Sequence, residues 1–507
     1  MTAPADRIVT NVEGHTLAEP DETFGAVAVR DGRVVRIGRA DEVAFLEGVE
    51  TDVLDFGGRT LLPGFVDAHT HMDVLGRRQA NVDLDDVSSP GEAVERLREG
   101  ADGDGWVLGF GYDESTWDDS RYLTREDLDR IGGGCPVAAF REDLHVVSVN
   151  SVVLDRFADA LPEADVRTAD GDPTGVLVED AVGVVTDAIA PDAETTREYL
   201  LAAQSTALDR GVTTVHDMVR NPHVPGVYRD LDLEGELDIR VRLNYWADFF
   251  DAVEDVGLRT NHGSARVRTG AIKTYTDGSI GGRTAKLSSP YADADGTGTW
   301  VVEPDELRDL AAAIDDAGFQ MAIHAIGDAA IEVVIGTYEG IGGERHRIEH
   351  AEVLTDELIE RLGAADVVVS AQPNFHRWAR EGGLYDVALG NERRKRTNQF
   401  GALREAGARL AFGSDCMPLD PLFGVEQAVT APEPDQRLSV TEALRAYTLG
   451  GAYAGFDESR LGTVEPGKRA DFVVLAESPW AVPDDEIADI GVARTIIDGD
   501  PVADERD

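Results

Sequence analysis

The chain has 507 residues, 42% of them hydrophobic, enough to bury a large core, which excludes wholesale disorder. No apolar run approaches the ~20 residues needed to span a bilayer, and the first residues lack the basic-then-apolar pattern of a secretory signal. Acidic residues outnumber basic ones 97 to 47, and a net formal charge of −50 argues against a nucleic-acid partner, whose phosphates need concentrated positive charge.

The expectation is a cytoplasmic protein with a small-molecule substrate and neither a nucleic-acid nor a membrane partner. The acids are spread throughout, and the only lysines are Lys273, Lys286, Lys395 and Lys468. An acidic, lysine-poor surface around an ordinary core suggests a halophilic protein, in which counterions screen self-repulsion. The two cysteines, Cys135 and Cys416, form neither a metal-type pair nor a disulfide framework, in keeping with a reducing interior.

In chain order, residues 1–62 read as short strands and turns, with alternating apolar and polar residues broken by Asp-Gly and Gly-Gly. Residues 463–507 read the same way, and neither end holds a core of its own. One small β-sandwich built from both termini is the economical reading, with residues 63–462 inserted into it. That middle alternates apolar strands with amphipathic helices, the pattern of a (β/α)8 TIM barrel, an α/β fold. Eight strands are predicted at 64–71, 212–218, 239–247, 270–278, 319–327, 345–353, 366–374 and 409–415. PDELRDLAAAIDDAG is one of the predicted helices between them. Residues 72–211 are too long for one βα unit and contain further strands, WVLGFGYD and CPVAAFRED. They are read as an insertion after strand 1 that serves as a lid over the barrel mouth.

Chemistry-bearing residues gather at the predicted strand ends, the rim where such barrels place their sites. His69 and His71 lie two apart on strand 1, so both imidazoles can face one metal ion, although packing accounts for a His-x-His pair as readily. Asp67 shares their face and either supports a ligand or orders the strand end. Lys273 sits within the apolar strand 4, where a lysine is costly to bury. It either pairs with a carboxylate such as Asp277 or, as a neutral amine, takes up carbon dioxide to form a carbamate that bridges two cations. His324 and His350 end strands 5 and 6, and four imidazoles suffice for one or two zinc-like ions. Asp415 ends strand 8, where a carboxylate can bind metal and accept a proton, or merely cap the following loop.

This arrangement resembles the amidohydrolase superfamily of metal-dependent hydrolases. LPGFVDAHTH and GTVEPGKRADFVVL are similar to signatures of that group, and the likeness spans essentially the whole chain. GYDESTWDD, LHVVSVNS, GDPTGVLVED, KTYTDGSIGGRTA, HAIGDAA, RIEHAEV and GSDCMP resemble the branch that includes N-substituted formamide deformylase. The resemblance implies one or two divalent ions, zinc above all, and a carbon–nitrogen (amide) bond as the target. His69 and His71 would hold the more buried ion, His324 and His350 the second, and a carboxylated Lys273 would bridge. Asp415 would be ligand and general acid/base. His145, followed by Asn150 and Ser151, matches a branch histidine that would touch substrate from the lid, with Asp-Leu-His here in place of Asp-Gly-His. Arg283 would hold a substrate carboxylate or carbonyl, or else form a surface ion pair. His216 is not a ligand in this pattern and is left to supporting the ligands from behind or to packing. Trp246, Tyr245 and Phe375 either line an apolar pocket or belong to the core. A homodimer is one assembly the resemblance allows.

The enzymatic alternative is a deaminase of the same superfamily, which Lys273 argues against because those sites lack the bridging lysine. A non-catalytic barrel relative is the alternative from another class, disfavoured because all six ligand positions are filled. A phosphate-binding barrel is weaker still, without a Gly-rich loop followed by Lys-Ser or Lys-Thr.

Overall fold

The computed structural model describes residues 3–101, 105–114, 117–132, 134–142 and 146–502. Four strands open the chain, β1 (Arg7–His15), β2 (Thr23–Arg30), β3 (Arg33–Gly38) and β4 (Asp52–Pro63), and β5 (Phe65–Thr70) follows at once. Next come β6 (Val82–Asp83), β7 (Val107–Tyr112), β8 (Val137–Arg141), β9 (Val146–Val149), β10 (Val166–Ala169) and β11 (Asp172–Val178). Seven strands alternate with helices after that: β12 (Val212–Val219), β13 (Arg240–Trp246), β14 (Val267–Tyr275), β15 (Met321–Ala325), β16 (His346–His350), β17 (Val367–Ala371) and β18 (Arg409–Phe412). β19 (Phe472–Leu475), β20 (Val492–Ile497) and β21 (Asp500–Pro501) finish the chain.

β5 and β12 to β18 form one eight-stranded sheet in which every pairing is parallel. The sheet curls until its edges meet: the N–H groups of Ser414 and Asp415, just past β18, donate to the His69 carbonyl in β5 at 3.1 and 2.7 Å. The result is a (β/α)8 barrel, and each of its strands falls on one of the eight predicted stretches. Both faces of a barrel strand are covered, so runs such as VVVSA in β17 are buried at every position. The helix Pro304–Asp316 lies within the predicted PDELRDLAAAIDDAG. It has proline in its first turn and buries Leu307, Ala311 and Ile314, the spacing of a single apolar stripe. β14 differs from its predicted span of 270–278. It begins at Val267, which pairs with Val241, and it stops at Tyr275. Beyond that, Asp277 turns inward to accept the N–H groups of Lys286, Ile326 and Gly327 at 2.7 to 3.1 Å.

The terminal strands form a seven-stranded sheet in the order β21-β20-β19-β4-β1-β2-β3, so both ends of the chain interleave as expected. β19 runs antiparallel to β4, and Val9, Val27 and Leu61 pack with Phe472, Val474 and Ile496. Neither terminus supplies that apolar layer alone. Arg240 of β13 ties the barrel to this sheet through Asp471, at 2.7 and 3.0 Å.

Residues Asp73–Ala203 form a second compact unit around a six-stranded sheet, in the order β10-β11-β9-β8-β7-β6. The predicted strands WVLGFGYD and CPVAAFRED fall on β7 and β8, which pair with each other in parallel within it. Apolar clusters pack on it, one including Leu97 and Val137, the other including the stacked Phe110 and Phe140. Cys135 and Cys416 are both buried and unbridged. Among the described residues no helix is long and apolar enough to cross a membrane.

Candidate metal centre

His69 stands at the carboxyl end of β5, 1% exposed. Asp67, two residues earlier, accepts the N–H groups of both His69 and Ser414 at 3.1 Å, which stitches strand 1 to strand 8. Close approach there requires Gly413, because a Cβ at that position would lie 2.3 Å from the His69 nitrogen. Two residues on, Asp415 adopts the left-handed conformation (φ 52°), a costly backbone state that clusters at functional sites. The turn brings Asp415 Oδ1 to 3.2 Å from His71 Nε2 and 3.7 Å from His69 Nε2.

The two strand-1 imidazoles are oriented from behind. His69 Nδ1 lies 2.6 Å from Glu349 Oε2, so it carries the proton and leaves the Nε2 lone pair free. Glu349 is fully buried and is held by Arg347, whose Nε lies 2.7 Å from Oε1. Arg347 in turn reaches His216 Nδ1 and Ser370 Oγ, both at 2.9 Å. His71 Nδ1 faces the Met218 carbonyl at 3.2 Å, and its Nε2 also points to Asp415.

His350 ends β16 in the left-handed conformation (φ 73°), with its ring centroid 4.9 Å from that of His69 and 4.5 Å from that of His324. Its Nδ1 is buried without a hydrogen-bond partner. His324 gives its Nε2–H to the Gly278 carbonyl at 3.0 Å, which leaves Nδ1 as an acceptor. Burial, reinforced by the charge of Lys273, holds His69, His324 and His350 well below the ordinary imidazole range, so these rings are neutral donors. Burial raises Asp415, but His69, His71 and Lys273 outweigh it and keep the carboxyl below 3.8. One ligand atom each from His69, His350 and Asp415 lies within 4.8 Å of the other two, a spacing that a single ion can bridge.

Lys273 is 2% exposed, and its Nζ rests over the rings of Trp246 and Tyr275 at 5.6 and 6.0 Å. No carboxylate lies within 4 Å of it among the described residues, and Asp277 is taken up by backbone N–H groups instead. Burial lowers its amine to about 8, against the pull of Glu349 and Asp415. Three neutral imidazoles, one of them with an orphaned buried nitrogen, an ionised carboxylate and an amine near neutrality are a donor set that suits divalent ions.

Arg283 is engaged by Asp293, with Nε 3.1 Å from both carboxylate oxygens, and by the Ile280 and Gly281 carbonyls at 3.3 and 2.7 Å. His145 lies outside the described residues. Asn150 caps the helix Ser151–Phe157, and Ser151 bonds Asp129. Phe375 stacks over His350 at 6.2 Å, whereas the Tyr245 hydroxyl accepts a hydrogen bond from Arg229. Sequence reasoning missed Arg347 and Glu349. Their signal was present, since RIEH puts two opposite charges at i and i+2 of a buried strand, where charges persist only when paired.

The sequence profile described as "Amidohydrolase family" matches residues 52–503. The chain is 31% identical to protein LONG AFTER FAR-RED 3 of Arabidopsis thaliana, covering 94% of this chain and 88% of that one. It is 28% identical to N-substituted formamide deformylase of Arthrobacter pascens over 98% of both chains. Among solved structures, a metal-dependent hydrolase from Pyrococcus horikoshii OT3 superposes with a TM-score of 0.82 at 30% identity, covering 94% of this chain and 99% of the other.

Proposed function

The chain belongs to the amidohydrolase family and is a hydrolase acting on carbon–nitrogen bonds, and from that premise we propose that it cleaves a small amide of the N-substituted formamide kind with Asp415 as general acid/base. The observation that carries this reading is the convergence of His69, His350 and Asp415, with His71 3.2 Å from Asp415 and a buried Lys273 that has no carboxylate within 4 Å among the described residues. His69, His71, His324, His350 and Asp415 would hold one or two divalent ions, zinc in the first instance, with Lys273 bridging as its carbamate. Such ions supply Lewis acidity and lower the pKa of water toward neutrality. Lys273 suits the bridge because an amine at about 8 is neutral in roughly a tenth of molecules at pH 7, and only the neutral amine attacks carbon dioxide. Glu349 and the Met218 carbonyl fix the two strand-1 imidazoles with Nε2 forward. Asp415, ionised at neutral pH, accepts the proton of the attacking water and returns it to the leaving nitrogen. Trp246 and Tyr275 shield the Lys273 amine from water.

The test combines metal analysis with a substrate panel. Purified protein is expected to retain zinc, to hydrolyse N-substituted formamides, and to lose that activity to a chelator and regain it with zinc. Ammonia release from aminated heterocycles, with no amide cleavage, would transfer the assignment to the deaminases. Protein that binds no divalent metal would be a non-catalytic relative.

We also propose that the −50 charge marks a halophilic protein. Its melting temperature should rise as KCl goes from dilute to molar, because screening relieves repulsion among the surface carboxylates. A melting temperature that falls over that range contradicts the reading.

A further inference from the structure

The amino-terminal ends of the barrel strands, opposite the histidine cluster, carry a concentration of positive charge in a chain that is otherwise strongly acidic. Arg240 and Arg242 rise from β13, Arg266 and Arg268 flank the start of β14, and Arg460 and Arg469 arrive from the segment leading to β19. Six guanidinium groups meet three carboxylates there. Asp457 takes Arg242 at 2.7 Å, Arg268 at 3.2 Å and Arg460 at 3.1 Å. Asp471 takes Arg240 at 2.7 Å, and Asp498 takes Arg240, Arg266 and Arg469 at 2.6, 3.3 and 3.0 Å. Asp238, whose carboxyl Arg266 attracts, adds a fourth carboxylate, and the local excess is two positive charges.

Among these side chains is a small cavity, lined by Thr214, the arginines at 240, 242, 266, 268 and 460, and Asp457. Its volume is about 10 Å³, room for one small occupant. Two of its lining residues are more than nine-tenths buried and carry polar atoms without a hydrogen-bond partner among the described residues, Thr214 Oγ1 and Arg242 Nη1. Both can donate. The carboxylate in the wall is already committed, since Asp457 Oδ2 accepts Nε and Nη2 of Arg242 while Oδ1 accepts Arg268 and Arg460. An occupant that satisfies these atoms must accept hydrogen bonds, and surplus positive charge favours an anion over water. The room for one small occupant favours a compact monovalent anion over a polyatomic one.

We propose that this cavity binds a single halide ion, chloride under ordinary conditions, which completes the charge balance beneath the barrel and helps lock the segment from Asp457 to Asp498 onto β12, β13 and β14. The site is independent of the metal centre and of the reaction assigned to it. Full-length protein melted at constant ionic strength, with gluconate replaced stepwise by chloride or bromide, should show a saturable rise in Tm of about 2 °C. Thr214→Val keeps the volume and removes one donor; it should fold, and its Tm rise should require roughly tenfold more halide. Crystals grown in bromide should show an anomalous peak between Thr214 and Arg242. Equal melting in gluconate and halide, or parallel shifts in the wild type and Thr214→Val, would overturn the proposal. So would a cavity in those crystals occupied by a scatterer with no anomalous signal, namely water. A bromide peak without a Tm shift would mark an adventitious ion only, and would overturn it equally.

Discussion

Asp415→Asn is expected to keep its fold and its metal while losing amide hydrolysis by roughly 10²–10⁴-fold, the usual contribution of a positioned general acid/base. The substitution is nearly isosteric. The backbone N–H of Asp415 still reaches the His69 carbonyl, and the amide oxygen can still occupy the position of Oδ1, 3.2 Å from His71 Nε2. It can no longer take a proton. The wild-type carboxyl suits that task because it is ionised at every pH near neutrality, its burial outweighed by His69, His71 and Lys273. With its pKa depressed in the fold, ionised Asp415 stabilises the protein above the unfolded value, and that contribution disappears as pH falls through the folded one. Asp415→Asn should lack this part of the acid transition. Zinc content by mass spectrometry, kcat on a formamide substrate and acid unfolding separate the consequences. Hydrolysis at the wild-type rate would remove Asp415 from the chemistry.

The architecture was readable in the amino acids because a parallel barrel strand is buried on both faces, so each writes itself as a short apolar run. The terminal sheet was readable for the complementary reason, since its strands alternate and neither end can close a core. Within the site, His69, His71, His324, His350 and Asp415 were visible as polar residues at the ends of those runs. What joins them was not. Glu349 reaches His69 across 280 residues, a separation no local pattern encodes, even though RIEH advertised a charged pair that needed partners. For Lys273 the sequence leaves an ion pair and a carbamate open; in the structure Asp277 accepts three backbone N–H groups, and no carboxylate lies within 4 Å of the amine among the described residues. Arg283 shows the reverse case: Asp293, ten residues away, captures it locally. The arginine cluster beneath the barrel draws residues from 214 to 498 and so had no footprint in any one stretch.

Glu349 carries the second large expectation. Glu349→Gln should lower zinc affinity by roughly 10–100-fold, the usual cost of disturbing a group that orients a metal-binding histidine. The carboxylate only accepts, so His69 Nδ1 must hold the proton and Nε2 must face Asp415. An amide can instead turn its NH₂ toward Nδ1, which moves the proton to Nε2 and blocks the ligand atom. The same change leaves the buried Arg347 without its counter-charge, and breaking such a pair costs about 3–5 kcal/mol. A drop in melting temperature is therefore expected, and it would confound a loss of metal taken alone. Glu349→Asp separates the two effects. It retains the charge beside Arg347 but withdraws by one methylene from a contact that is now 2.6 Å, so stability should recover more than zinc affinity does. The ¹⁵N shifts of the His69 ring supply a readout independent of turnover, with Nδ1 protonated in the wild type and a mixture of tautomers in Glu349→Gln. If both variants bind zinc as tightly as the wild type, Glu349 serves only to neutralise Arg347, and the orientation of His69 has another source.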